Sequence, residues 1–275
     1  MAVRGIDYCL HEWGDEDAPA VFFLHGWADT GATFQFVVDA LESRWHVIAP
    51  DWRGFGRSSH AAAAYWFPDY LADLDVILRH YSPDAPVRLV GHSMGGNIAS
   101  LYGGALPERV RAIVNIEGFG LADSDPADAP ARFRDWLTAQ NDPPRFSYYP
   151  NFAPLVRRIC MNSPRLSSER AEFVARQWAV EEDAGVHLRA DPKHKMPNAI
   201  LYRRAEAEAC WRNIAADLLM VSGGKSTYTD FFADLDLSAY PDCESVVIED
   251  AGHMVHFEAP EALAQQIECF LKKTL

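Results

Sequence analysis

The chain has 275 residues, 49% of them hydrophobic and 23% charged, with a formal net charge of −14 at pH 7. That length accommodates one α/β domain with an insertion, or two small domains, and the ordinary composition excludes wholesale disorder. The acidic balance argues against nucleic acid as a partner, and no apolar run is long enough to suggest a membrane span. Ala20-Val21-Phe22-Phe23-Leu24 has the continuous apolar character of a buried strand, and residues 33–41 follow as a helix. Trp45-His46-Val47-Ile48-Ala49 is a second strand, and Leu71, Leu74, Ile77 and Leu78 mark a helix over 69–80. Residues 87–90, 94–105 and 110–116 continue the pattern as strand, helix and strand. Such alternation predicts an α/β fold with a mainly parallel sheet and helices on both faces.

The regularity breaks over 119–211, which contains Pro126, Pro130, Pro143, Pro144, Pro150 and Pro154 and many aromatics, with helices expected around 167–181 and 201–211. Strand patterns return at 218–221 and 245–248, before a closing helix over 260–272. The middle block therefore reads as an insertion between two sheet strands. Five cysteines (Cys9, Cys160, Cys210, Cys243, Cys269) are scattered without a C-x-x-C pair. Reduced thiols are the simplest reading, and with no apolar leader near Met1 the expected location is cytoplasmic.

The most informative motif is Gly91-His92-Ser93-Met94-Gly95, a G-x-S-x-G sequence directly after a strand and before a helix. That setting holds a serine in a strained turn with its hydroxyl exposed, the geometry of a nucleophile. A serine needs a base, and His253 in Asp250-Ala251-Gly252-His253, between the last strand and the closing helix, is the first choice, with His256 as competitor. Loops at the carboxyl ends of parallel strands gather on one edge, so Ser93 and His253 can converge. An oxyanion needs two donors: the backbone N–H of Met94 is one, and the backbone N–H of Trp27, after His25-Gly26, is the other.

His25-Gly26-Trp27, Asp51-Trp52-Arg53-Gly54-Phe55-Gly56-Arg57-Ser58, Gly91-His92-Ser93-Met94-Gly95-Gly96 and Gly252-His253 together resemble the α/β-hydrolase superfamily over nearly the whole chain. The resemblance implies a core of 1–118 and 212–275, a cap of 119–211, a Ser–His–acid triad, and no metal or organic cofactor. It implies acyl transfer to water through an acyl-enzyme, with a small-molecule ester or related acyl compound as substrate. Asp51, Arg53 and Arg57 resemble the family's turn-bracing residues. The acid departs from the commonest family pattern, because Ser222-Gly223-Gly224-Lys225-Ser226-Thr227-Tyr228 carries no carboxylate at the usual offset. Glu117, at the end of the strand after the nucleophile helix, is the first candidate, and Asp230 is the alternative.

Trp27, Asp29 and Trp136 are candidate substrate contacts, and the aromatic cap without an evident charged clamp suggests an apolar, uncharged ester. A carbon–carbon bond hydrolase or lactonase shares the same triad. From a different class, the missing acid after Gly224 leaves open a ligand-binding protein on a hydrolase scaffold. Oligomeric state is not legible.

Overall fold

The computed structural model describes residues 1–228 and 237–275, so Asp230 lies outside the described residues. Strands β1 (Ala2–Val3) and β2 (Ile6–Asp7) form a small antiparallel pair. The main sheet is built from β3 (Leu10–Trp13), β4 (Ala20–Leu24), β5 (His46–Pro50), β6 (Val87–His92) and β7 (Val110–Ile116). After the insertion, β8 (Ala179–Glu182) and β9 (Gly185–Leu188) pair as a separate antiparallel hairpin, and β10 (Asp217–Gly223) and β11 (Glu244–Ile248) complete the sheet. The order across the seven main strands is β11-β10-β7-β6-β4-β5-β3. All neighbours run parallel except β3, which is antiparallel to β5 at the edge.

Alternation along β4 explains why its run is apolar throughout. Val21 and Phe23 enter one core cluster and Phe22 and Leu24 the other, so both sheet faces are covered. One face is covered by α2 (Phe67–Tyr81) and α3 (Met94–Ala105), which contribute Leu74, Ile77, Ile98 and Tyr102. The opposite face is covered by α1 (Gln35–Asp39) and the closing helix, which bring Val37, Leu263, Ala264, Ile267 and Phe270. The expected helix over 33–41 is thus shorter, because a 3₁₀ turn occupies Gly31–Phe34 before α1.

Between β7 and β10 the chain leaves the sheet as α4 (Ala129–Asn141), α5 (Phe152–Asn162), α6 (Ser168–Trp178), the β8–β9 hairpin and α7 (Arg204–Arg212). The helix expected over 167–181 ends at Trp178 and turns into β8, with Gly185 at φ 119 on the return strand. A side group at Gly185 would stand 2.5 Å from the Tyr149 carbonyl, so only glycine fits there. The end of α7 belongs to the core, since Ala207 and Trp211 are buried with Tyr240 in the main cluster. Two further helices, α8 (Val255–Glu258) and α9 (Pro260–Leu271), close the described chain.

The turn after β5 is anchored to α2 by a buried fork: Arg53 Nε and a terminal nitrogen donate to Asp73 at 2.6 and 2.7 Å, and the Tyr8 hydroxyl donates to the same carboxylate. The seam with the insertion is aromatic. His194 stacks between Phe55 and Tyr65, with ring centroids 3.8 and 3.6 Å away, and burial holds its pKa down to about 4.

Truncating Phe22→Ala should cost about 3–5 kcal/mol, read as a lower urea midpoint with an unchanged slope. His194 generates a pH dependence of definite sign. Its folded pKa lies below the usual 6.5, so its stabilising contribution is complete above about 6.5 and is lost as pH falls toward 4. His194→Phe, which keeps the stack, should flatten the decline of the melting midpoint across that window. Parallel curves for the two proteins would contradict this.

Candidate active site

Strand β6 ends where the chain must reverse sharply into α3, and Ser93 occupies that point with φ 51 and ψ −113. A non-glycine residue in this region is strained by about 1–3 kcal/mol, so the surrounding bonds must hold it. They do: the Ser93 N–H donates to the Ile116 carbonyl at 2.7 Å, and the Ser93 carbonyl accepts from Asn97 N–H at 3.0 Å. Gly95 is dictated by crowding, since a Cβ there would stand 2.0 Å from the Leu24 carbonyl oxygen.

Glu117 terminates the neighbouring strand β7 and is also at positive φ, 57°. Its N–H donates to the Val221 carbonyl at 2.9 Å, which turns the side chain across the ends of β7 and β10. The buried carboxylate receives three donors. Gly223 N–H reaches Oε1 at 2.8 Å, the Ser226 hydroxyl reaches Oε2 at 2.6 Å, and His253 Nδ1 lies 2.9 Å from Oε2. A carboxylate cannot donate, so the proton of this last bond sits on Nδ1 and leaves Nε2 of His253 with its lone pair. The His253 ring is 22% exposed, open enough to meet a ligand, whereas the Glu117 side chain is sealed. Tyr228 stands edge-on to that ring, 4.7 Å between centroids.

His92 supports the same loop from below. Its Nε2 donates to the His253 carbonyl at 2.8 Å, and burial, with His256 and His253 nearby, keeps its pKa well below the ordinary range. It therefore stays neutral.

The loop after β4 passes directly over Ser93. A Cβ at Gly26 would lie 2.8 Å from His92 Nδ1 and 3.2 Å from Ser93 Cβ, so the close approach requires glycine. His25 fixes this loop: its Nε2 accepts the Trp52 N–H at 2.8 Å, which assigns the ring proton to Nδ1 for donation to the Gly26 carbonyl at 2.7 Å. Trp52 Nε1–H closes the clamp on the His25 carbonyl at 3.0 Å. Asp51 adds another tie by accepting from Gly31 N–H and Arg57 N–H, both at 2.8 Å. Trp27 is left 52% exposed, while Met94 opens α3 beside Ser93.

Asp29 is placed differently from a substrate contact. It is buried, and its oxygens are taken by His256 Nε2 at 2.9 Å, the Thr33 hydroxyl at 2.9 Å and Trp178 Nε1–H at 2.7 Å. Burial alone would raise its pKa, but His256 and Trp178 hold the carboxyl well below the usual range. His256, the competitor for the base, is thereby engaged in a second, sealed acid–histidine pair. Trp136 lies half-buried on α4, and among the described contacts nothing joins it to Ser93, His253 or Glu117.

Two clusters combine metal-ligating residue types, each with donor atoms within 4.8 Å of one another: Asp29, His92 and His256, and Cys9, His11 and Asp51. In each cluster the acid is engaged by a histidine, bracing the loops after β4 and β5: His256 Nε2 with Asp29, and His11 Nε2 donating to Asp51 Oδ1 at 3.1 Å. Ser226, His25 and the Asp29–His256 pairing were not singled out by sequence reasoning as parts of the site. The only signal for Ser226 is the acid-free Gly223-Gly224-Lys225-Ser226 turn itself, which supplies donors to Glu117 in place of a carboxylate.

A family model described as the alpha/beta hydrolase fold matches residues 19–260. A "Serine hydrolase-like protein" of Danio rerio is 27% identical over 94% of this chain and 83% of its own length. A "2-(acetamidomethylene)succinate hydrolase" of Mesorhizobium japonicum is 24% identical over 92% of this chain and 88% of its own. Among solved structures, a "Thioesterase Domain From Curacin Biosynthetic Pathway" superposes with a TM-score of 0.88 at 25% identity, over 98% of this chain and 97% of that one. With the seven-stranded, mainly parallel sheet and a match spanning most of its length, this chain belongs to the α/β hydrolase family and is a hydrolase.

Proposed function

We propose that this hydrolase cleaves a carboxylic ester or a related acyl bond, with Ser93 as nucleophile, His253 as general base and Glu117 as the acid that orients it. The observation that carries the reading is the Nδ1–Oε2 bond of 2.9 Å between His253 and Glu117, at the end of the strand next to Ser93. With its proton held on Nδ1, His253 takes the Ser93 proton on Nε2 as the hydroxyl attacks the carbonyl carbon. The tetrahedral oxyanion is met by the backbone N–H groups of Met94 and Trp27. The imidazolium, stabilised by Glu117, then protonates the leaving group. In the second half of the cycle His253, neutral again, draws a proton from the water that attacks the acyl-enzyme, and returns it to Ser93 Oγ as the acid is released.

The stretch 119–211, apart from the buried end of α7, serves as the cap over this site, and Trp27 and Trp136 are its aromatic substrate contacts. Asp29 acts at one remove, holding the oxyanion loop against Trp178 and His256. The substrate is a small molecule. No helix among the described residues is long and apolar enough to cross a membrane. The five free cysteines fit a reducing compartment, and we place the protein in the cytoplasm on that ground.

Hydrolysis of a graded p-nitrophenyl ester series tests the chemistry. Ser93→Ala should abolish turnover, and Glu117→Gln, which can offer His253 an N–H in place of an acceptor, should lower kcat by about 10⁴-fold. Asp230→Asn should leave kcat within about twofold of the parent. The reverse ranking of the last two variants would remove Glu117 from the triad.

A further inference from the structure

The turn after β5 and the insertion enclose a cleft of about 530 Å³ that the proposed chemistry does not use. Its lining includes Arg57, Arg145, Arg189, His60, Phe146 and Tyr148. The one acid on that lining is Glu182, whose Oε1 stands 3.1 Å from His187 Nε2. Lys195 adds a further cation beside the cleft, its Nζ 4.1 Å from the centre of the Phe146 ring.

The arginines on this lining are poorly partnered. The Arg57 side chain reaches no carboxylate among the described residues; it meets Gln177 Oε1 at 3.5 Å, the outer limit of a hydrogen bond. Arg189 Nε is buried and has no hydrogen-bond partner. Burial, with the neighbouring Arg57 charge, pulls the Arg189 pKa below its ordinary value, and Asp51 on the far side offsets this only in part. Although the chain carries a formal charge of −14, no carboxylate among the described residues forms an ion pair with Arg189. Buried unpaired charge is costly, and a guanidinium presents its donors in a fork matched to phosphate or carboxylate oxygens.

A short run of contacts links the cleft to the candidate active site. Gln177, which touches Arg57, precedes Trp178, whose indole N–H donates to Asp29 in the oxyanion-side loop at 2.7 Å. We propose that this cleft binds the anionic arm of the acyl substrate, a phosphate or carboxylate group, while the acyl carbonyl is presented to Ser93. The inference deepens the serine hydrolase reading and rests on it. It also replaces an uncharged substrate with one that carries a negative group remote from the scissile bond.

Calorimetric titration of the Ser93→Ala protein tests the site without turnover, so a failure of the chemistry cannot be mistaken for a failure of the cleft. Coenzyme A probes the phosphate source and succinate the carboxylate source. Saturable binding of either one, weakened at least about tenfold by Arg189→Gln and by Arg57→Gln, is expected. Arg134→Gln, an exposed change on α4 away from the cleft, controls for general charge. Binding of coenzyme A alone assigns a phosphate arm, and binding of succinate alone a carboxylate arm. Binding of neither probe, or equal loss in the Arg134→Gln control, overturns the proposal. Melting midpoints of the variants confirm that a loss of binding is not a loss of fold.

Discussion

The Glu117 carboxylate joins three stretches of chain that are far apart in sequence: the end of β7, the turn after β10, and the loop that carries His253. A buried carboxylate is tolerable only when its oxygens are satisfied, and here one N–H, one hydroxyl and one imidazole satisfy it. The same bonds orient the imidazole. Parallel pairing makes this possible, because β6, β7 and β10 run side by side and end at one edge. Ser93 N–H on the Ile116 carbonyl and Glu117 N–H on the Val221 carbonyl carry each neighbour's position across to the next strand. Strain is concentrated at this edge. Of the four non-glycine residues at positive φ among those described, Ser93 and Glu117 end β6 and β7, and Ala28 lies in the loop after β4.

A second buried acid–histidine pair stabilises the opposite wall. Asp29 and His256 are separated by 227 residues and meet at 2.9 Å, tying the loop over Ser93 to the helix after His253. Trp178 brings the insertion to the same carboxylate. The result is a continuous set of contacts from the insertion, through Asp29 and His256, to the His92 ring, 4.5 Å away between centroids, and on to the His253 carbonyl. A ligand that shifts the insertion would therefore act on the geometry of the loops around Ser93 through defined bonds.

The parallel strands β4 to β7 and β10 were legible in the sequence, because burial on both faces leaves a nearly unbroken apolar run. Edge strand β3 was not: Leu10-His11-Glu12-Trp13 is half-buried and pairs on one side only, so it carries no such signature. The β8–β9 hairpin was hidden for another reason. Ala179-Val180-Glu181-Glu182 continues the composition of α6, and its strand state comes from pairing with β9, which Tyr149 bridges in turn at Val186. Within the site, Ser93, His253 and Glu117 were visible because each sits at a strand or motif boundary that topology brings to one edge. Ser226 and the Asp29–His256 pair were not, since a lone serine and a long-range contact leave no periodic or motif signal. The unpaired arginines were equally invisible, because pairing depends on which neighbours the fold supplies.

The central claim is that Ser93 is activated by the His253–Glu117 pair. Its most direct test is labelling with a fluorophosphonate, followed by peptide mass mapping of the adduct. One label per chain on the peptide containing Ser93, formed far more slowly in Glu117→Gln, is the expected result. A label on another residue, or an unchanged rate in Glu117→Gln, would contradict the account.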